Sequence, residues 1–332
     1  AGDDGRLEEE PPREAAPEGE GRGTLVSVPG AFKNVDFVGR WRVWYGVSGV
    51  FLLLCLGAIA LGGMNFGIDF TGGSKFTASG VQGSPSTSEV RHSLPGDLGE
   101  RSFVQQVGED GFEVRTPVLS QEENTEARQA LEEELGAEVS VTSISPTFGG
   151  QIRAQALQAI GVALLIIVIF ISFRFEFAFA FAAVVALLHD ILITIGFYAL
   201  VGREVNLVTV VAVLTVLGYS LYDTIIIFDR IRENAPEAGY NRRRYEELAN
   251  NSIRQVVMRS IYTSVCTLIP VSALLIFGES TLSDFAFALL VGIAAGTYSS
   301  IFIAAPTLCL YKAWRAGRIQ AGKGQTAQSA RS

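Results

Sequence analysis

The stretch LVTVVAVLTVLGYSLYDTIIIFDRIREN, residues 207–234, decides how the chain is read. It is apolar over a helix length as far as Phe228, ends on the charged pair Asp229-Arg230, and carries one acid, Asp223, inside sequence that otherwise suits lipid. A carboxylate at the centre of a bilayer costs about 2.5–3.5 kcal/mol on insertion scales. An acid kept at that cost points to a task for it, so fold and candidate site are both read from this one segment.

Working outward, five more runs of the same kind make six in all: 44–62, 154–172, 177–201, 207–228, 261–277 and 285–311. Each can cross about 30 Å of hydrocarbon at about 1.5 Å per residue. Apolar types make up 48% of the 332 residues and charged types 18%, and the apolar ones are bunched too tightly for soluble core helices. The predicted fold class is a polytopic α-helical membrane protein with six transmembrane helices. A small extracytoplasmic α+β domain is expected between the first and second spans. The first run reads as a retained span and not a secretory leader, because a long polar stretch precedes it and no Ala-x-Ala pattern follows.

The organisation follows from composition. Residues 1–31, rich in Glu, Gly and Pro, bury too little to offset ordering entropy and read as a disordered acidic cytoplasmic tail. Residues 32–62 combine an interfacial helix, anchored by Trp41 and Trp44, with the first span. Residues 63–150 form the α+β domain, with strands expected at 74–79, 101–107, 111–115 and 138–143 and helices at 87–92 and 122–135. Spans two to four occupy 151–228 and spans five and six 261–311, with a basic cytoplasmic loop at 229–260 between them and a second tail at 312–332. The loop is predicted to fold as a helix hairpin turning at 235–239, with Tyr245 and Leu248 toward lipid or protein.

Charge sets orientation. Lys33, Arg40 and Arg42, then Arg230, Arg232, Arg242, Arg243, Arg244 and Arg254, then Lys312, Arg315 and Arg318 all fall on one side, which places both termini in the cytoplasm. The net charge of −8 collects in the N-terminal tail and the α+β domain. No nucleic-acid partner is expected, and the basic loops suit topology and anionic membrane lipid. Cys55, Cys266 and Cys309 sit inside apolar runs as small packing residues. No metal-ligand spacing, cofactor motif, phosphate loop or nucleophile motif appears, so neither metal, cofactor, catalytic residue nor enzyme class is assigned.

Inside the spans the polar residues are few. Ser220, Tyr219 and Asp223 share a face of the fourth span, while Arg259 opens the fifth with Thr263 and Thr267 following at four-residue steps. Asp223 lies about 9 Å inside the Asp229-Arg230 boundary at 1.5 Å per residue, a depth that Arg259 matches. An Asp223–Arg259 pair is therefore allowed, the alternative being an Arg259 that snorkels to headgroups. His189 and Asp190 in the third span either complete a polar cluster with Ser220 and Thr263 or make a structural hydrogen bond. In the sixth, Ala288, Gly292, Gly296, Ser300 and Ala304 form a small-residue packing face.

Gly67-Ile68-Asp69-Phe70-Thr71-Gly72-Gly73-Ser74, just beyond the first span, resembles the signature of the SecD/SecF family of bacterial protein-export membrane proteins, on its SecF side. Ser145-Pro146, Gly149-Gly150, Leu188-His189-Asp190-Ile191-Leu192-Ile193-Thr194 and the 218–234 stretch extend the likeness from Phe32 to Tyr311. The resemblance implies a half-transporter of the resistance-nodulation-division superfamily in the bacterial inner membrane. Its implied partners are SecD, the Sec translocation channel and an unfolded secretory chain, with the proton-motive force as driver. It also implies a proton-relay role for Asp223 and Arg259. Tyr222 stands where the family often has asparagine, which leaves the hydrogen-bond partner of Asp223 open. A proton-driven exporter of lipids or small molecules on the same superfamily fold, and a non-conducting scaffold subunit, are the rival readings.

Overall fold

The computed structural model describes residues 32, 35–81, 83, 85–108, 110–235 and 242–315. The expected disorder of 1–31, the tail beyond 315 and the turn at 236–239 lie outside the described residues. In chain order the elements are α1 (Trp41–Gly62), β1 (Asn65–Phe66), α2 (Ile68–Thr71), β2 (Gly73–Ser79), α3 (Thr87–His92), β3 (Phe103–Val107), β4 (Gly111–Thr116), α4 (Gln121–Leu135) and β5 (Val139–Ile144). Then come α5 (Pro146–Arg174), α6 (Phe177–Val201), β6 (Glu204–Val205), α7 (Leu207–Glu233), α8 (Arg242–Phe277) and α9 (Ser280–Ser299). A π-helical turn, Ser300–Ala304, follows α9, and helix resumes to residue 315. Six of these helices are long and apolar enough to cross a membrane, the last spanning Thr281–Arg315.

Between the first and second spans, four antiparallel strands pair in the order β3-β4-β2-β5. Period-two alternation places Phe76, Ala78, Val104, Phe112, Val114 and Val139 in one core, which Val90 of α3 and Ala127, Leu131 and Leu135 of α4 share. Both helices start at capping boxes, Ser86 with Glu89 and Ser120 with Glu123, and Gly136 ends α4 in the left-handed conformation. Those reciprocal bonds hold the Glu89 and Glu123 carboxyls below the usual carboxylate range, so both stay ionised at the helix N-termini.

In the membrane part, α6 and the last helix are the most buried, and α1 and α5 present apolar faces outward. Small residues set the closest approaches, as expected where lipid supplies no hydrophobic force between helices. A Cβ on Gly196 of α6 would run into Cys55 of α1, and one on Gly292 of α9 into Val216 of α7.

Three expectations need correction. Among the described residues no interfacial helix runs into Trp41: residues 35–40 are non-helical, and Phe37 and Val38 enter the protein core instead of the lipid boundary. Asn250 of α8 holds them there, its Oδ1 accepting the Phe37 and Val38 amides at 2.8 and 3.1 Å while its Nδ2 donates to Asp36 at 2.8 Å. Nor is the loop at 229–260 a unit apart from the spans: its helical arms are the end of α7 and the start of α8, which runs unbroken from Arg242 to Phe277. Tyr245, Ala249, Ile253 and Val257 repeat every four residues along one buried stripe that passes straight into the span, with no Gly or Pro before Pro270 to interrupt it. Tyr245 and Leu248 thus face protein. The last helix also extends through residues 312–315, past the expected tail boundary.

Candidate functional site

Two polar clusters lie inside the bundle, one on each side of the α7–α9 contact. Asp190, at the middle of α6 and 0% exposed, forms the first. Its Oδ2 accepts from Ser220 Oγ of α7 at 2.6 Å and from Ser299 Oγ of α9 at 2.9 Å. Its Oδ1 lies 3.1 Å from His189 Nδ1, and His189 Nε2 lies 2.5 Å from Ser48 Oγ of α1. Three helices therefore meet on one carboxyl group, and His189 extends the network to a fourth, α1. Gly296 makes this possible: a Cβ there would stand 2.8 Å from Ser220 Cβ, so a larger residue would push α7 and α9 apart at the hydrogen bonds.

The π-helical turn begins where α9 touches this cluster. Consecutive residues on a regular helix point about 100° apart. Here Ser299 reaches Asp190, while Ser300 Oγ meets Thr224 Oγ1 at 2.8 Å and the Ser220 carbonyl at 3.3 Å. Single π turns inside α-helices are frequent at functional sites.

Asp223 anchors the second cluster, between α7 and α8. It is 2% exposed, and its Oδ1 has no hydrogen-bond partner; Ser260 Oγ is likewise buried and unpaired. Ser260, Ser264 and, farther off, the Arg259 guanidinium are the polar groups around the carboxyl. Ser264 continues to Thr297 of α9 at 2.6 Å. The allowed Asp223–Arg259 ion pair is not formed: Arg259 is exposed and donates to the Tyr222 hydroxyl at 3.2 Å. Tyrosine, longer than asparagine, carries its oxygen out to the guanidinium and intercepts it.

Of the residues grouped by sequence, His189, Asp190 and Ser220 come together, but Thr263 does not join them. Its hydroxyl donates to the Arg259 and Ser260 carbonyls of its own helix at 2.9 and 3.0 Å. Tyr219 likewise turns away, to Thr267 of α8. Thr194 bonds the Asp190 backbone carbonyl at 2.7 Å and not the carboxylate. Ser48, Ser299, Ser260 and Ser264 were missed because an isolated serine in an apolar run carries no pattern; only spacing from a known partner helix would have raised them. Among the described residues no three His, Cys, Asp or Glu side chains gather as a metal group.

A third locus joins the sheet to the bundle. β1 and β6 pair in parallel, Asn65 with Glu204 and Phe66 with Val205, and the Gly67 amide donates to the Val205 carbonyl at 2.9 Å. Asp69 Oδ2 then accepts the Leu207 amide at 3.0 Å, at the start of α7. Gly72 and Gly73 have φ of 75° and 140°; a Cβ on Gly72 would sit 2.7 Å from Pro146 Cα, and on Gly73 2.5 Å from the Thr116 carbonyl. Only glycine fits such contacts. Above this loop, Arg115 of β4 pairs with Glu204 at 3.0 Å and lies over the Phe103 ring at 4.5 Å. Burial pushes the Glu204 carboxyl up to about 7; Arg115 pulls it down and Glu113 pushes it further up. Arg203 and Asp284 pair at 2.6 Å and tie the same connection to α9.

The sequence comparisons agree on one family. The model for "Protein export membrane protein SecD/SecF, C-terminal" matches residues 125–314, and that for the "SecD/SecF GG Motif" residues 57–79. The chain is 36% identical over 316 residues to the protein translocase subunit SecF of Streptomyces coelicolor, covering 89% of this chain and 84% of that protein. It is 41% identical over 283 residues to SecF of Desulfurispirillum indicum, covering 81% and 89%. Among solved structures it resembles SecDF, a translocon-associated membrane protein from Thermus, at 35% identity and a TM-score of 0.76. That match covers 84% of this chain but only 38% of the SecDF chain.

Proposed function

The chain belongs to the SecD/SecF family of protein-export membrane proteins, as a multi-pass translocase subunit of the SecF type, and on that footing we propose that proton movement through the α7–α8 seam drives its part in export. The observation that carries this reading is Asp223, buried in the fourth span with an unpaired oxygen, facing Ser260 and Ser264. A buried carboxyl without a full set of donors is suited to binding and releasing a proton. When ionised it draws the α8 hydroxyls and the Arg259 charge toward α7; when neutral it releases them. Each charge crossing 100 mV supplies about 2.3 kcal/mol, enough to bias two helix packings against each other.

In this reading SecD is the partner, since the chain matches one portion of a SecDF protein. The protein sits in the bacterial inner membrane with both termini cytoplasmic and the sheet domain on the far side, where it acts on an unfolded secretory chain leaving the Sec channel. The basic loops lie against anionic lipid. Asp223→Asn should abolish proton-dependent stimulation of secretion in membrane vesicles while SecD still co-purifies. Undiminished stimulation would remove Asp223 from the mechanism and favour a scaffold role.

A further inference from the structure

The Asp223 seam leaves one intramembrane carboxyl unused. Asp190 is more deeply buried, reaches different helices, and is linked through His189 to Ser48 on the opposite side of the bundle. Ser48 and His189 line two cavities, of about 600 and 280 Å³, that flank α1. The larger also takes in Tyr45 and Thr307, whose hydroxyls lie 2.6 Å apart, and runs to Trp314 at the end of the last helix. The hydroxyls of Thr307, Tyr45 and Ser48 thus line one cavity beside the imidazole.

We propose that Asp190 and His189 form a second proton-holding station, served through Ser48 from the α1 side and separate from Asp223. It rests on the proton-driven reading above and extends it to a second site. With His189 neutral and protonated on Nδ1, that proton passes to Asp190 Oδ1, Nε2 takes the Ser48 hydroxyl proton, and Ser48 takes a proton from a hydronium ion that reaches it, leaving water. One proton enters and Asp190 becomes neutral. Reversal returns it. The other titratable side chains nearby are Tyr298 of α9, whose ring lies 6.2 Å from that of His189, and Tyr45 and Cys55 of α1. Among the described residues no Lys or Arg side chain pairs with Asp190, and His189 is the titratable side chain within hydrogen-bond distance of it.

The station also has a mechanical output. Ser220 and Ser299 donate to one carboxylate oxygen, so they clamp α7 to α9 through charge-assisted bonds, about twice as strong as neutral ones. Neutralising Asp190 weakens both clamps at once, beside the π-helical turn at Ser300–Ala304, where the helix already departs from regular hydrogen bonding.

The test uses the chain reconstituted with SecD in liposomes carrying an entrapped pH-sensitive dye, with proton flux driven by a potassium diffusion potential. Asp190→Asn and His189→Gln should each slow flux by about a hundredfold or more, in the range expected for loss of a proton-transfer group. The chain has two histidines, and His92 is exposed in the sheet domain, so ¹⁵N-histidine spectra read His189 directly. Its ring nitrogens should show the proton on Nδ1 and Nε2 as the acceptor, and that tautomer should be altered in Asp190→Asn. A purely structural hydrogen bond would leave the pH profile of flux unmoved. If Asp190→Asn does not assemble, Ser48→Ala decides, with slowed flux expected from loss of the relay hydroxyl. Normal flux in these variants with flux lost in Asp223→Asn overturns the second station alone. Normal flux in Asp223→Asn as well overturns the proton-driven reading and the station with it.

Discussion

Arg259 donates to the hydroxyl of Tyr222 at 3.2 Å, one residue before the buried acid Asp223. The guanidinium is thereby held at the outer rim of the α7–α8 seam, where it acts on the carboxyl through space and not by contact. Opposite charges at matching depth were readable from spacing; the interception depends on the length of one side chain.

Removing that hydroxyl should be mild and specific. Tyr222→Phe is expected to lower unfolding stability in detergent by about 0.5–1 kcal/mol, the worth of one solvent-exposed hydrogen bond. Arg259→Ala should cost about the same, and the double variant little more. Fully additive losses would show that the pair does not interact.

The glycines of the motif predict a larger effect. Gly72→Ala places a methyl against Pro146 backbone, which cannot yield, at a φ that disfavours any side chain. Steric overpacking of this kind costs about 1–3 kcal/mol. Limited proteolysis should then cut between β1 and β2 in Gly72→Ala and leave the parent intact; equal resistance would refute the tight packing.

Glu204 makes the attachment of the sheet domain depend on pH. Burial raises its carboxyl from an ordinary 4.5 to about 7, so the docked state binds a proton more tightly than a released one. Docking is therefore fully supported below the ordinary value and weakens as pH climbs through about 7. Exchange of the Gly67 amide, which bonds the Val205 carbonyl, should accelerate over that interval beyond the intrinsic rate. In Glu204→Gln the extra acceleration should vanish; if it persists, another group sets it.

Close packing of α7 on α9 predicts that Gly292→Val, driven into Val216, loses about 1–3 kcal/mol as an overpacked core. Thermal unfolding in detergent measures it. A neutral result would mean that the helices part freely there.

Six apolar runs and four alternating strands were legible because burial on one or both sides forces a period, and the observed strand positions shift by at most two residues at either end from the expected ones. The small face containing Gly292 and Gly296 was legible for the same reason. What escaped was pairing between helices. Cys55 meets Gly196, Ser299 meets Asp190, and Asn250 captures Phe37 and Val38 through contacts more than a hundred residues apart in sequence, which no local periodicity encodes. The single-helix course of α8 is legible in the spacing of Tyr245, Ala249, Ile253 and Val257, which continues without a break into the apolar run that follows.

The two-residue ribbon between β1 and β6 ties the sheet to the connection between α6 and α7, the helices that own Asp190 and Asp223. Where that pairing holds, a tilt between those helices would swing the sheet domain like a boom stepped on a pivot. Lengthening that ribbon by a few flexible residues would let the helices rock while the boom stays still.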